Sequence, residues 1–224
     1  MDTGYFCRQV CRFCGISDRM HGENFNLPIA ESEHFFAMAS IGSFVPGWTL
    51  VCPKRHYLNL ADFYETAEFV EFSSRVGSAV VQAYGAPVVA FEHGCRHAGS
   101  LTGCGTDHAH LHLVPFYGNL GAAVRQFDPT SQWIAGRARD VNRLVGDQEY
   151  LLMAESVQGL GAAALMRPVE VPRSQYFRLA LATALGQESR ANYRVYPFTE
   201  LATQTASRLE GFLRSSMESL ELVA

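Results

Sequence analysis

Lysine is almost missing from this chain. Lys54 stands alone among 224 residues, against seventeen arginines. A coding bias is the plain explanation, and phosphate recognition is the functional one. Charge as a whole is scarce, at 18% of residues with a formal net charge of −4. Such a balance gives no general attraction to nucleic acid and argues against a protein that tracks its backbone. No apolar run is long enough to span a bilayer, and Met1-Asp2-Thr3-Gly4 begins nothing like a signal peptide, so no membrane partner is expected. The six cysteines are too dispersed for a secreted disulfide framework, which implies reduced thiols and a cytoplasmic location. Also missing is a Gly/Ser/Pro-rich linker; residues 126–130 are the one short candidate.

With 48% hydrophobic residues the chain can bury a sizeable core. Residues 34–39 and 48–52 read as strands, with Gly42, Pro46 and Gly47 as turn signals between them. Phe69, Phe72, Val76, Val80 and Ala83 form one apolar stripe, which predicts a helix over 62–84 with Asp62 as N-cap. Residues 87–92 read as the next strand, followed by a glycine-rich loop over 94–105. An antiparallel meander with a crossing helix is an α+β pattern. Further on, 149–154 and 163–167 read as strands around Gly159 and Gly161. Helices are predicted over 174–185, capped by Ser174, and over 199–220. The division expected is a domain over 1–124 and an α+β extension over 125–224. The extension's element order suggests a decayed duplication, although similar strand composition explains it as well.

The richest stretch is Thr106-Asp107-His108-Ala109-His110-Leu111-His112-Leu113-Val114-Pro115. In a strand, alternate side chains share a face, so the three imidazoles would lie together, adjacent ones roughly 6–7 Å apart. Rings so placed can flank a tetrahedral phosphorus or share a metal. As a way to fill a core, three polar rings are poor, since buried polar groups need partners. No histidine follows His112, so the second half holds no copy of this comb.

His108-Ala109-His110-Leu111-His112-Leu113-Val114 resembles the histidine-triad (HIT) signature, His-φ-His-φ-His-φ-φ with φ apolar, of the superfamily that includes galactose-1-phosphate uridylyltransferases. Cys11-Arg12-Phe13-Cys14-Gly15-Ile16 looks like the Cys-x-x-Cys opening of bacterial members. Gly47-Trp48-Thr49-Leu50-Val51-Cys52-Pro53-Lys54-Arg55-His56 looks like their Gly-His-Thr-Leu-Val-φ-Pro-Lys-x-His run. The resemblance covers about residues 11–117. Beyond it, 174–178 and 193–197 are only loosely similar to extended members.

The resemblance implies a nucleotide hydrolase or transferase acting on a phosphoester, phosphoanhydride or phosphoramidate through a nucleotidyl adduct on His110. Imidazole suits that role, being largely a neutral nucleophile at pH 7. His112 would donate to a phosphoryl oxygen, with backbone N–H groups of Gly103, Gly105 and Thr106 beside it; a tight turn explains those glycines equally. Zinc-bearing relatives imply Cys11, Cys14, His56 and His108 as ligands of a structural Zn2+. The alternatives are a bare dithiol, or ligation by Cys7, His93, Cys95, His97 or Cys104. Two departures bear on the substrate. Ser40 stands where relatives carry an aspartate for the ribose hydroxyls, and Gly103-Cys104-Gly105-Thr106 lacks their usual amide and hydroxyl. Arg178 and Arg194 are candidates to bring positive charge from the second half. The expected partner is a small nucleotide or nucleotide conjugate, bound by a monomer or homodimer. Relatives without an extension often pair as dimers to complete their sites, a task a fused second half can take over. Phosphorolysis or transfer to a non-water acceptor is the catalytic alternative, and a zinc-stabilised binding module without turnover the non-catalytic one.

Overall fold

The computed structural model describes the backbone of residues 11–20 and 22–221. Helix α1 (Arg12–Ser17) precedes a short strand β1 (Ala30–Glu31) and the hairpin β2 (Phe35–Ala39) and β3 (Thr49–Pro53). Helix α2 (Ala67–Tyr84) then crosses to β4 (Val88–Gly94), which pairs with β5 (Leu111–Pro115). The second half runs α3 (Leu120–Phe127), β6 (Ile134–Gly136), α4 (Val141–Val145), β7 (Tyr150–Ala154), α5 (Gly159–Ala162), β8 (Ala164–Pro168), α6 (Tyr176–Ala184) and α7 (Thr199–Glu221). The eight strands among the described residues make one antiparallel sheet in the order β1-β2-β3-β5-β4-β7-β8-β6. The α+β reading holds, with the extension packed on the first half: β7 pairs with β4 from Ala90↔Ala154 to Gly94↔Tyr150. No helix among the described residues is long and apolar enough to cross a membrane.

Strand alternation sorts side chains between two cores. Phe35, Val51, Ala90, Leu111, Leu113 and Leu152 face α2 and α7. Phe36, Leu50, Phe91, Val114 and Leu151 face α1, α3 and α6 on the other side. Gly47 joins the hairpin at φ +86, and a Cβ there would meet the Tyr84 ring at 2.7 Å, so the turn requires glycine.

Helix α2 starts later than its stripe suggests. Thr66 occupies the N-cap position without a side-chain cap bond, and Asp62 instead accepts from Asn142 Nδ2 at 3.0 Å. The cause is the buried carboxylate of Glu92, which accepts from Leu60 N (2.6 Å) and Tyr64 Oη (2.6 Å), holding this segment as a turn. Tyr150 Oη adds a third bond to it at 2.7 Å, tying in the second half. Burial pushes the Glu92 carboxyl up to about 7, against the pull of those bonds. The histidine strand is also shorter than expected, beginning at Leu111. Just before it, Ala109 N bonds to Tyr57 O at 2.7 Å, outside the regular ladder, yet Ala109 and Leu111 still face one core and the imidazoles the other.

Candidate active site

Each histidine of the comb has a partner that fixes its tautomer. His110 Nδ1 lies 2.7 Å from the carbonyl of His108, an acceptor only, so Nδ1 carries the proton and Nε2 keeps its lone pair. His112 Nδ1 lies 2.9 Å from Trp48 Nε1. Indole N–H only donates, so here Nδ1 accepts and Nε2 bears the hydrogen. His108 Nε2 donates to Pro53 O at 2.8 Å, which leaves Nδ1 facing Cys11 Sγ at 3.4 Å and Cys14 Sγ at 3.6 Å. The His110 and His112 rings are 4.7 Å apart, and His112 stacks on Phe91 at 4.5 Å. Burial, reinforced by nearby positive charge, pushes His110 down to about 4 and His112 well below the usual imidazole range. Both are neutral at pH 7.

These rings open onto a cavity between the sheet and the C-terminal half. Ser40, Thr106, His110, His112 and Arg178 line it together. Arg178 is only 6% exposed. Its guanidinium lies 4.4 Å from the Trp48 ring and donates to Gly42 O, and it has no carboxylate partner among the described residues. Burial lowers its pKa to about 10, so it stays charged. Burying a cation without an acid beside it is costly, and an anion in the cavity would offset that cost. Ser40 Oγ is turned to Ile41 O at 3.3 Å. Gly103 packs on Cys95, where a Cβ would meet Sγ at 2.5 Å, and is not part of the cavity wall. Gly105 and the exposed Arg194 sit beside one another outside that wall, with Arg194 over the Tyr193 ring.

Cys11, Cys14, His56 and His108 converge, with one ligand atom from each within 4.8 Å of the others. Cys14 Sγ to His56 Nδ1 is 3.5 Å. Tetrahedral zinc with ordinary Zn–S and Zn–N bonds sets such S···N edges at about 3.5 Å. The donor chemistry fits as well, since His108 presents a lone pair to the thiols. By contrast, His93, Cys95 and His97 do not meet. His97 approaches Glu149 at 3.3 Å, Cys95 Sγ approaches His93 O at 3.9 Å, and His93 lines the cavity. Cys104 lies on the cavity wall too, and Cys7 falls outside the described residues.

Residues 21–119 match the family model of the HIT domain. This segment is a HIT domain. It is 29% identical over 116 residues to the protein hit of Bacillus subtilis (strain 168), a match covering 50% of this chain and 74% of that one. Among solved structures, a hypothetical histidine triad nucleotide-binding protein of Sulfolobus tokodaii strain 7 is 27% identical, covering 49% of this chain and 70% of its own, with a TM-score of 0.38. A Zn-bound histidine triad family protein from Mycobacterium smegmatis is 25% identical, covering 61% and 90%, with a TM-score of 0.37.

The HIT domain supplies the comb, His56 and Trp48, but the cavity is completed from outside it. Arg12 and Phe13 precede it, and Gln175, Arg178 and Tyr193 follow it. The Phe13 ring meets His108 and His110 edge-on at 5.5 and 5.3 Å. The sequence reading assigned no site role to Arg12, Trp48, Gln175 or Tyr193, and considered His93 only as an alternative metal ligand. Two signals were there: Arg12 lies between the paired cysteines, and Trp48 holds the histidine position of the Gly-His-Thr run.

Proposed function

We propose that this chain hydrolyses or transfers nucleoside phosphates through a covalent nucleotidyl adduct on His110. The observation that carries the reading is the His110 Nδ1–His108 O bond, which leaves Nε2 unprotonated at a cavity lined by Arg178, a cation with no acid partner among the described residues. In the first step Nε2 bonds to phosphorus as the leaving group departs with its electron pair. The imidazole becomes cationic, and the carbonyl of His108 stabilises the Nδ1–H as that charge grows. His112 Nε2–H donates to a phosphoryl oxygen, and Arg178 offsets the phosphate charge. Water or another acceptor then displaces His110 from phosphorus. Cys11, Cys14, His56 and His108 would hold a zinc ion with all four positions filled by protein, a structural staple between the N-terminal helix and the histidine comb.

The test is turnover of a panel of dinucleoside polyphosphates, nucleotide sugars and nucleoside phosphoramidates by wild type and His110→Ala. Activity in wild type lost by several powers of ten in the variant supports the adduct. Equal activity in the two rejects it, and binding without turnover favours the non-catalytic module.

A further inference from the structure

The adduct mechanism leaves open which bond is cleaved, and the cavity wall bears on that choice. An amine or alkoxide needs a proton as it leaves, and a positioned acid that supplies one is worth ~100- to 10,000-fold. A phosphate departs as a stable anion and needs its charge offset instead. Among the described residues no aspartate, glutamate or lysine lines the cavity. His112 cannot serve as the acid: Trp48 N–H holds its Nδ1, so giving up the Nε2 proton would leave an imidazolate. Tyr193 Oη is turned to Cys104 O at 3.0 Å, and Cys104 Sγ to Thr102 O at 3.6 Å. What the wall offers is positive charge from either side of the HIT domain. Arg178 comes from α6. Arg12 comes from α1, between Cys11 and Cys14, and donates from Nε (3.1 Å) and Nη2 to Asn26 Oδ1, while its Nη1 end makes no hydrogen bond among the described residues.

Resting on the His110 adduct reading, we propose that this site cleaves phosphoanhydrides, with a phosphate or polyphosphate leaving unprotonated and Arg12 joining Arg178 to hold its charge. The Nε2–P bond forms as the bridging P–O bond breaks, and the electron pair leaves on the departing phosphate oxygen. Water then adds its oxygen to phosphorus, the N–P bond breaks with its pair returning to Nε2, and one proton passes to solvent.

The experiment compares diadenosine triphosphate with adenosine 5′-phosphoramidate on the full chain, with a matched uridine pair to allow for base preference. The expected kcat/KM favours the anhydride by at least about 100-fold. Arg12→Met lowers the anhydride value about tenfold or more, and Arg12→Lys restores most of it. Arg12→Gln replaces the Met variant should that one fail to fold. Equal or faster cleavage of the phosphoramidate overturns the anhydride assignment, and wild-type kcat/KM in a folded Arg12 variant overturns the role of Arg12. Cleavage that survives His110→Ala, or no turnover of either series, instead refutes the adduct reading and this inference with it.

Discussion

Trp48→Phe tests whether one indole N–H sets the protonation pattern of the site. Trp48 is fully buried, donates to His112 Nδ1 at 2.9 Å and lies 4.4 Å from the Arg178 guanidinium. Phenylalanine keeps an aromatic face for that cation but removes the donor. A buried acceptor left unpaired costs about 1–3 kcal/mol, a factor of roughly 5 to 150 in the tautomer equilibrium. The lost ring volume adds on the order of 1 kcal/mol, so a Tm fall of roughly 4–16 °C is expected for a chain this size. Two-bond 1H–15N correlation spectra of the histidines read the tautomer directly. Wild type should show a protonated Nε2 on His112, and the variant a mixture or the reverse. Turnover should fall mainly in kcat, because His112 then offers a lone pair where it offered a hydrogen. A wild-type His112 protonated on Nδ1, or a variant that keeps the Nε2–H form undiminished, refutes the reasoning.

Purified protein should carry about one zinc per chain, and Cys14→Ala should lose it by elemental analysis; even a 3 kcal/mol loss lowers Tm by roughly 6–12 °C here. A metal-free wild type of undiminished stability contradicts the site. Glu92 predicts a pH dependence: its folded pKa of about 7 lies above the ordinary 4.5, so the folded state binds the extra proton between those values. The burial penalty is absent below pH 4.5, grows through 7 and levels off near 3 kcal/mol. Glu92→Gln lacks it, so in urea titrations the variant should gain about 2–3 kcal/mol on wild type from pH 5 to 8; a pH-independent difference removes the account. Truncation after Gly118 strips β7 from β4 and bares a fully buried edge, so the fragment should be insoluble or inactive. A soluble fragment of full activity contradicts the part given to the second half.

Much of the site was legible because its signals are local. The alternation of His108, His110 and His112 with Ala109, Leu111 and Leu113 assigned the faces, even though the regular strand begins only at Leu111. The Cys11, Cys14, His56 and His108 set came from a family pattern, and the four ligand atoms do converge. What stayed hidden depends on pairing between distant segments. Nothing local says that β7 adds to the edge of β4, or that a carboxylate on β4 holds residues 60–64 out of helix α2. Strand β6 has two exposed residues and one half-buried one, with no periodic signal. Arg178 and Arg194 were equal candidates in the sequence, and only the packing of α6 separates them, burying Arg178 against Trp48 and leaving Arg194 exposed.

The most direct test is intact-mass analysis of the protein quenched during turnover of a dinucleoside polyphosphate. A mass increment of one nucleotidyl group, lost in acid, mapped to His110 and missing from His110→Ala, is the predicted result. Turnover without any adduct, or an adduct that persists in His110→Ala, contradicts covalent catalysis at this histidine.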